Sequence, residues 1–230
     1  MNLPIPNRRS AGRTLAAFLE AYREQRELVV LALSPDGVPV AYEISQGLDA
    51  PLDILLVQKL QITGSEQLDL SMVVGGDQYL LNDDIVLEPQ SRRPKLDAAV
   101  QQQQRDASQR LRDLRGDRQK LPVKGHTVIL VDDVLTQSQT ARAAIKAMRE
   151  EGAARVVVAV PILPNRVLTQ LQTVADDVSF IATQEPFLGV DWWYEDHRPL
   201  ATDEVRNLLR QGAAPPVVHA SHPKAPIDFI

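Results

Sequence analysis

The sequence predicts an α/β fold: a mostly parallel, twisted sheet with helices on both faces and a small inserted hood lobe. Three observations carry this expectation. Short aliphatic runs alternate with helical patterns through most of the 230 residues. The runs are rich in Val, Ile and Leu with little period-two alternation, which suits strands covered on both faces. Strand–helix alternation favours parallel pairing, because a parallel connection needs a crossover long enough to hold a helix.

The elements follow in order. A helix is expected over 10–26, then a strand at 28–33, a helix at 38–48 and a strand at 54–57. Strands at 71–74 and 79–81, split by Gly75-Gly76-Asp77-Gln78, read as a hairpin beside the main sheet. Leu96, Val100, Ala107, Leu111 and Leu114 recur at helical spacing, so an amphipathic helix is expected near 95–118. Then come a strand at 127–131, a helix at 139–151, a strand at 155–160, a helix at 164–174 and a strand at 178–181. The segment 212–230 holds four of the sixteen prolines and no periodic pattern, so it reads as an extended tail. The expected organisation is one domain over 1–211, with a hood lobe near 61–120 that covers the site, and a tail at 212–230.

Composition narrows the function classes. The chain carries 25 Lys and Arg against 30 Asp and Glu, a net charge of −5. At 44% hydrophobic residues it can bury a real core, and at 4% aromatic residues that core is mostly aliphatic. There is no cysteine, which excludes disulfides, thiol catalysis and cysteine-ligated zinc. The longest apolar runs are far shorter than the roughly 20 residues that span a bilayer. A soluble, cytoplasmic protein with no membrane partner is expected. One stretch opposes the general acidity: 92–120 holds nine Lys and Arg against four Asp. A basic helix face is either a solvated surface or a site for an anionic or protein partner. The pI near 5.4 weighs against nucleic acid. The four histidines have no convincing metal spacing, and neither a G-x-G-x-x-G loop nor a Walker-type loop is present.

The most informative stretch is Val128-Ile129-Leu130-Val131-Asp132-Asp133-Val134-Leu135-Thr136-Gln137-Ser138-Gln139-Thr140. A hydrophobic strand ends in two carboxylates, crosses a polar loop and enters a helix. Ligands of open parallel sheets bind beyond the carboxyl ends of strands. A helix N-terminus offers unpaired N–H groups and a positive dipole end to a phosphate. Two acids beside such a loop suit the vicinal hydroxyls of a ribose. Two readings stay open on these residues: a ribose 5-phosphate site, or a strand–loop–helix turn in which Asp133 and Ser138 only cap and solvate the backbone.

At these residues the chain resembles the type I phosphoribosyltransferases, and the resemblance extends over roughly 8–209. The segments 29–41, 48–60, 128–161 and 185–196 carry it, with Ala50-Pro51-Leu52-Asp53, Lys59 and Trp192-Trp193-Tyr194-Glu195-Asp196 as fitting details. The resemblance implies a substrate, phosphoribosyl pyrophosphate (PRPP), or a nucleoside monophosphate. It implies Asp132, Asp133 and Lys59 as catalytic residues. Thr136, Gln137, Ser138, Gln139 and Thr140 are implied as the 5′-phosphate loop, and Asp36 and Gly37 as the pyrophosphate loop. Trp192 and Trp193 are either a stacking surface for a base or a core or interface pair. Magnesium is implied with PRPP, near Asp132 and Asp133, and a homodimer is common in such proteins.

The sequence departs from that family at both phosphate ends. Where the family carries Pro-Arg-Gly-Gly, this chain has Ser34-Pro35-Asp36-Gly37, so the arginine is lost and an acid is gained. The phosphate loop's Thr-Gly-x-Thr is Gln137-Ser138-Gln139-Thr140, and serine is expected to be strained where glycine takes a positive φ. An Asn-Pro-Glu-Leu stretch is Ser65-Glu66-Gln67-Leu68. The expectation is therefore a nucleotide- or PRPP-binding protein with weak or lost transfer. An active magnesium-dependent transferase is the alternative, and an RNA-binding regulator comes behind both.

Overall fold

The computed structural model describes residues 3–60, 70–73, 93–183, 185 and 189–212. Its centre is a five-stranded, wholly parallel sheet in the order β3-β2-β6-β7-β8. These strands are β2 (Leu28–Ala32), β3 (Leu52–Ile54), β6 (Thr127–Val131), β7 (Arg155–Leu163) and β8 (Asp177–Thr183). Val30 pairs with Leu52 and with Ile129, and Ile129 pairs with Val157.

All five residues of β2 are buried. The pleat sends successive side chains to opposite faces, and it splits the aliphatic runs between two cores. Val30, Ala32, Ile129, Val131, Val157 and Ala159 join one core. Val29, Leu31, Val128, Leu130, Val156 and Val158 join the other. The first is covered by α1 (Arg8–Phe18), α2 (Val38–Gly47), α6 (Thr202–Gly212) and the end of α3 (Arg93–Arg115). The second is covered by α4 (Gln139–Glu150) and α5 (Asn165–Gln172). Strands without alternation thus reflect burial on both sides, as expected.

Two differences from expectation have physical causes. The expected strand 54–57 is two strands, β3 and β4 (Val57–Leu60), because Leu56 takes φ 53° and breaks the extended run. β4 then pairs antiparallel with β5 (Leu70–Val73), outside the main sheet. The other half of the expected hairpin, 79–81 with its 75–78 turn, lies outside the described residues. A second two-stranded sheet was not expected: β1 (Ile5–Asn7) pairs parallel with β9 (Tyr194–Asp196). Each strand is only three residues long, too short to show a period.

α3 buries Ala107, Leu111 and Leu114 as its stripe predicts. The helix packs against α6 and β3. Among the described residues no helix is long and apolar enough to cross a membrane.

Candidate functional site

Parallel neighbours β2 and β6 end at the same edge of the sheet, so the loops after them meet. The backbone N–H of Leu33 donates to the Val131 carbonyl at 2.8 Å. Asp132 and Asp133 follow at the end of β6, the middle strand, and both are buried, 7% and 4% exposed.

Asp132 faces the loop after β2. The Ser34 hydroxyl donates to Asp132 Oδ1 at 2.5 Å, and the Asp133 backbone N–H donates to the same oxygen at 3.1 Å. Ser34 Oγ in turn accepts the Gly37 N–H at 3.0 Å. Gly37 is needed for close approach: a Cβ there would sit 2.9 Å from Asp132 Cα. Burial, then the neighbouring charge of Asp133, pushes the Asp132 carboxyl up to about 8, against the lowering effect of Ser34 and the backbone N–H. The upward shift favours the protonated carboxyl, which can donate as well as accept.

Asp133 faces the opposite end of the chain. Arg8 Nε donates to Asp133 Oδ2 at 2.8 Å, and Arg8 is 6% exposed. The same guanidinium donates from Nη1 to the Arg198 carbonyl at 2.9 Å. Its Nη2 lies 3.3 Å from Asp36 Oδ1 and 2.7 Å from His197 Nε2. His197 Nε2 is also 3.1 Å from Asp133 Oδ2. One ring nitrogen cannot accept from Arg8 and donate to Asp133 together, so the tautomer decides which contact is a hydrogen bond. The Tyr194 hydroxyl donates to the Asp133 carbonyl at 3.0 Å, and its ring stacks on His197. Burial pushes the Tyr194 hydroxyl well up, so it stays a donor.

The loop 134–138 leads into α4. Leu135 N–H donates to the Ile162 carbonyl at 3.2 Å, and Arg166 reaches the Thr136 carbonyl at 3.4 Å. Ser138, the residue before α4, takes φ −79° and ψ −19°. The expected left-handed strain is therefore absent: the loop enters the helix through an ordinary right-handed turn that serine adopts freely. Its side chain is buried and makes no cap hydrogen bond. Thr136 and Gln139 are exposed, whereas Gln137 and Thr140 are half-buried.

The remaining expected residues are more scattered. Asp36 and Gly37 join the acid cluster through Arg8 and Ser34. Lys59 lies in β4, paired with Ser71, and the stretch 65–68 is outside the described residues. Trp192 ends a 3-10 turn and is 68% exposed, two residues before the buried Tyr194. Asp53, part of the matching turn, is instead bound in β3 by Arg115 Nε at 2.9 Å. Arg8 and His197 were not anticipated, whereas Ser34 and Tyr194 lie in stretches the resemblance singled out without giving them a role. Arg8 is 125 residues from Asp133, and only its place just after Asn7, whose side chain caps α1, could have drawn notice.

The residues present do not fit a magnesium ion held by Asp132 and Asp133. Asp133 already carries a guanidinium, and among the described residues no three His, Asp or Glu group as metal ligands.

The chain is similar to known proteins over most of its length. The family model of the phosphoribosyl transferase domain matches residues 3–184. Two Mycobacterium tuberculosis proteins, from strains CDC 1551 and H37Rv, are named as candidate phosphoribosyl transferases. Each is 35% identical over 203 residues, which is 88% of this chain. The chain spans about half, 46%, of the length of these relatives. The crystal structure of TT1426 from Thermus thermophilus superposes with a TM-score of 0.77 at 29% identity, covering 92% of this chain and all of that one. With the family model matching residues 3–184, most of its length, this chain belongs to the phosphoribosyl transferase family.

Proposed function

We propose that this chain binds the ribose 5-phosphate part of a nucleoside monophosphate, or of PRPP, along Asp132–Thr140, and that it transfers phosphoribosyl groups weakly or not at all. Binding draws support from the retained ribose end. Asp132, whose carboxyl is shifted toward its protonated form, can exchange hydrogen bonds with a ribose hydroxyl. The first N–H groups of α4 lack intrahelical partners and carry the positive end of the helix dipole, which favours a monophosphate.

One observation carries the loss of transfer. Asp36 lies within 3.3 Å of the guanidinium that holds Asp133, so the loop after β2 adds a carboxylate to the acid pair. A pyrophosphate placed there meets the Asp36 carboxylate where the resemblance implies a glycine, and Pro35, where it implies an arginine, supplies no donor for charge-assisted contacts.

Calorimetric titration with nucleoside monophosphates tests the binding. Native protein should bind saturably. Gln139→Glu should leave the fold intact, since an acid in the first turn of a helix stabilises it by about 0.3–1 kcal/mol. It should weaken the monophosphate by about tenfold or more, because the new charge faces the phosphate. No saturable binding, or binding indifferent to Gln139→Glu, contradicts the site.

A further inference from the structure

We infer that Arg8 is the resident counter-cation of the ribose end of this site, so that the chain takes a phosphorylated ribose without a divalent metal. This rests on the ribose-phosphate reading above and adds its metal requirement and its selectivity.

The guanidinium is built in rather than resting on the surface. It is 6% exposed and touches three separate parts of the chain: Asp133 after β6, Asp36 after β2, and His197 with the Arg198 carbonyl after β9. It opens α1, whose N-cap Asn7 side chain accepts the Ser10 N–H at 2.9 Å, so the positive helix end adds to its charge. An arginine keeps its proton at any physiological pH. The buried Asp133 is therefore paired with a cation that belongs to the chain, and the same guanidinium reaches the more exposed Asp36 at 3.3 Å. On the other side, Ser34 and Gly37 close on Asp132 too tightly for even a methyl group at Gly37.

Selectivity follows from charge. A metal–diphosphate complex brings a divalent cation toward Arg8 and further anionic oxygens toward Asp36. A bare 5′-monophosphate brings neither: its hydroxyls meet the acids and its phosphate meets the start of α4. Arg8 acts through Asp133 and Asp36, so it is a positioning residue that sets which form of ligand the site accepts.

The test is calorimetric titration of the full chain with ribose 5-phosphate, in magnesium and in EDTA, together with magnesium alone followed by thermal denaturation. The native affinity should agree in the two buffers within about twofold, and magnesium alone should leave the melting temperature unchanged. A loss of about tenfold or more in EDTA, or stabilisation of native protein by magnesium alone, overturns the inference. Arg8→Gln frees the carboxylates, so magnesium should stabilise that variant and tighten its ligand binding, while Arg8→Lys should stay metal-independent. An Arg8→Gln variant that folds but ignores magnesium also counts against the role. If it does not fold, the native and Arg8→Lys proteins decide. Ribose 5-phosphate that fails to bind native protein in either buffer defeats the ribose-phosphate reading itself. The response to magnesium alone still decides the counter-cation.

Discussion

Asp132 stores a pH dependence in the fold. Its carboxyl is raised from 3.8 to about 8 by burial and by Asp133. A group raised on folding stabilises the protein fully below its unfolded value, and that stability is lost as pH climbs through the folded value. The melting temperature should therefore fall as pH rises from the acidic range through about 8. Asp132→Asn, neutral at all pH, should flatten the fall. A tenfold change in proton affinity is about 1.4 kcal/mol, so the difference is measurable by denaturation across pH. Equal pH profiles for the two proteins contradict the buried neutral acid. At Asp133 the prediction runs the other way. Arg8→Gln strands a buried carboxylate and should cost about 3–5 kcal/mol in urea denaturation. Asp133→Asn in that background should recover much of the loss, and an additive double-mutant cycle argues against direct pairing. The paired acids were legible because both partners of the pattern are adjacent in sequence. Arg8 was not, because its charge partner is 125 residues away and no local period connects them.

At the scale of elements, α1 and α2 cross where side chains are small. A Cβ on Gly12 would lie 2.5 Å from the Val40 carbonyl oxygen, and one on Gly47 would lie 2.7 Å from Ala16 Cβ. Helix propensity favours alanine over glycine by about 1 kcal/mol. Overpacking costs about 1–3 kcal/mol, so it should win. Gly12→Ala should lower the melting temperature, and a rise shows that the helices separate without cost. The basic helix α3 satisfies much of its outer face along itself, through Gln102 to Asp106, Arg105 to Gln102, Gln109 to Asp113 and Arg112 to Gln109. We expect no RNA binding at physiological salt by filter retention, and retention that persists there contradicts this reading. Helices α1 to α5 were legible from their periods and the long strands from unbroken aliphatic runs, whereas α6 was not among the expected elements. The break between β3 and β4 was not, because it rests on the backbone of Leu56 rather than on a Gly, Pro or Asn signal.

Over the whole molecule, topology brings Asp132 and Asp133 to the middle of one sheet edge, where Arg8, just after β1, and Tyr194 in β9 reach Asp133. Strand–helix alternation made the sheet legible, since burial on both faces leaves an unbroken aliphatic run. The β1–β9 pairing was illegible, because two three-residue strands at opposite ends of the chain carry no repeating pattern. On the proposed function the chain keeps the ribose end of its site and has lost the grip on pyrophosphate. Pyrophosphate release from PRPP, with magnesium and a panel of bases, tests this on native protein and on a Pro35→Arg, Asp36→Gly variant. Little or no release is expected from the native chain and a gain of about tenfold or more from the variant, since each 1.4 kcal/mol of recovered phosphate binding in the transition state is tenfold in rate. Robust turnover by the native chain would contradict it.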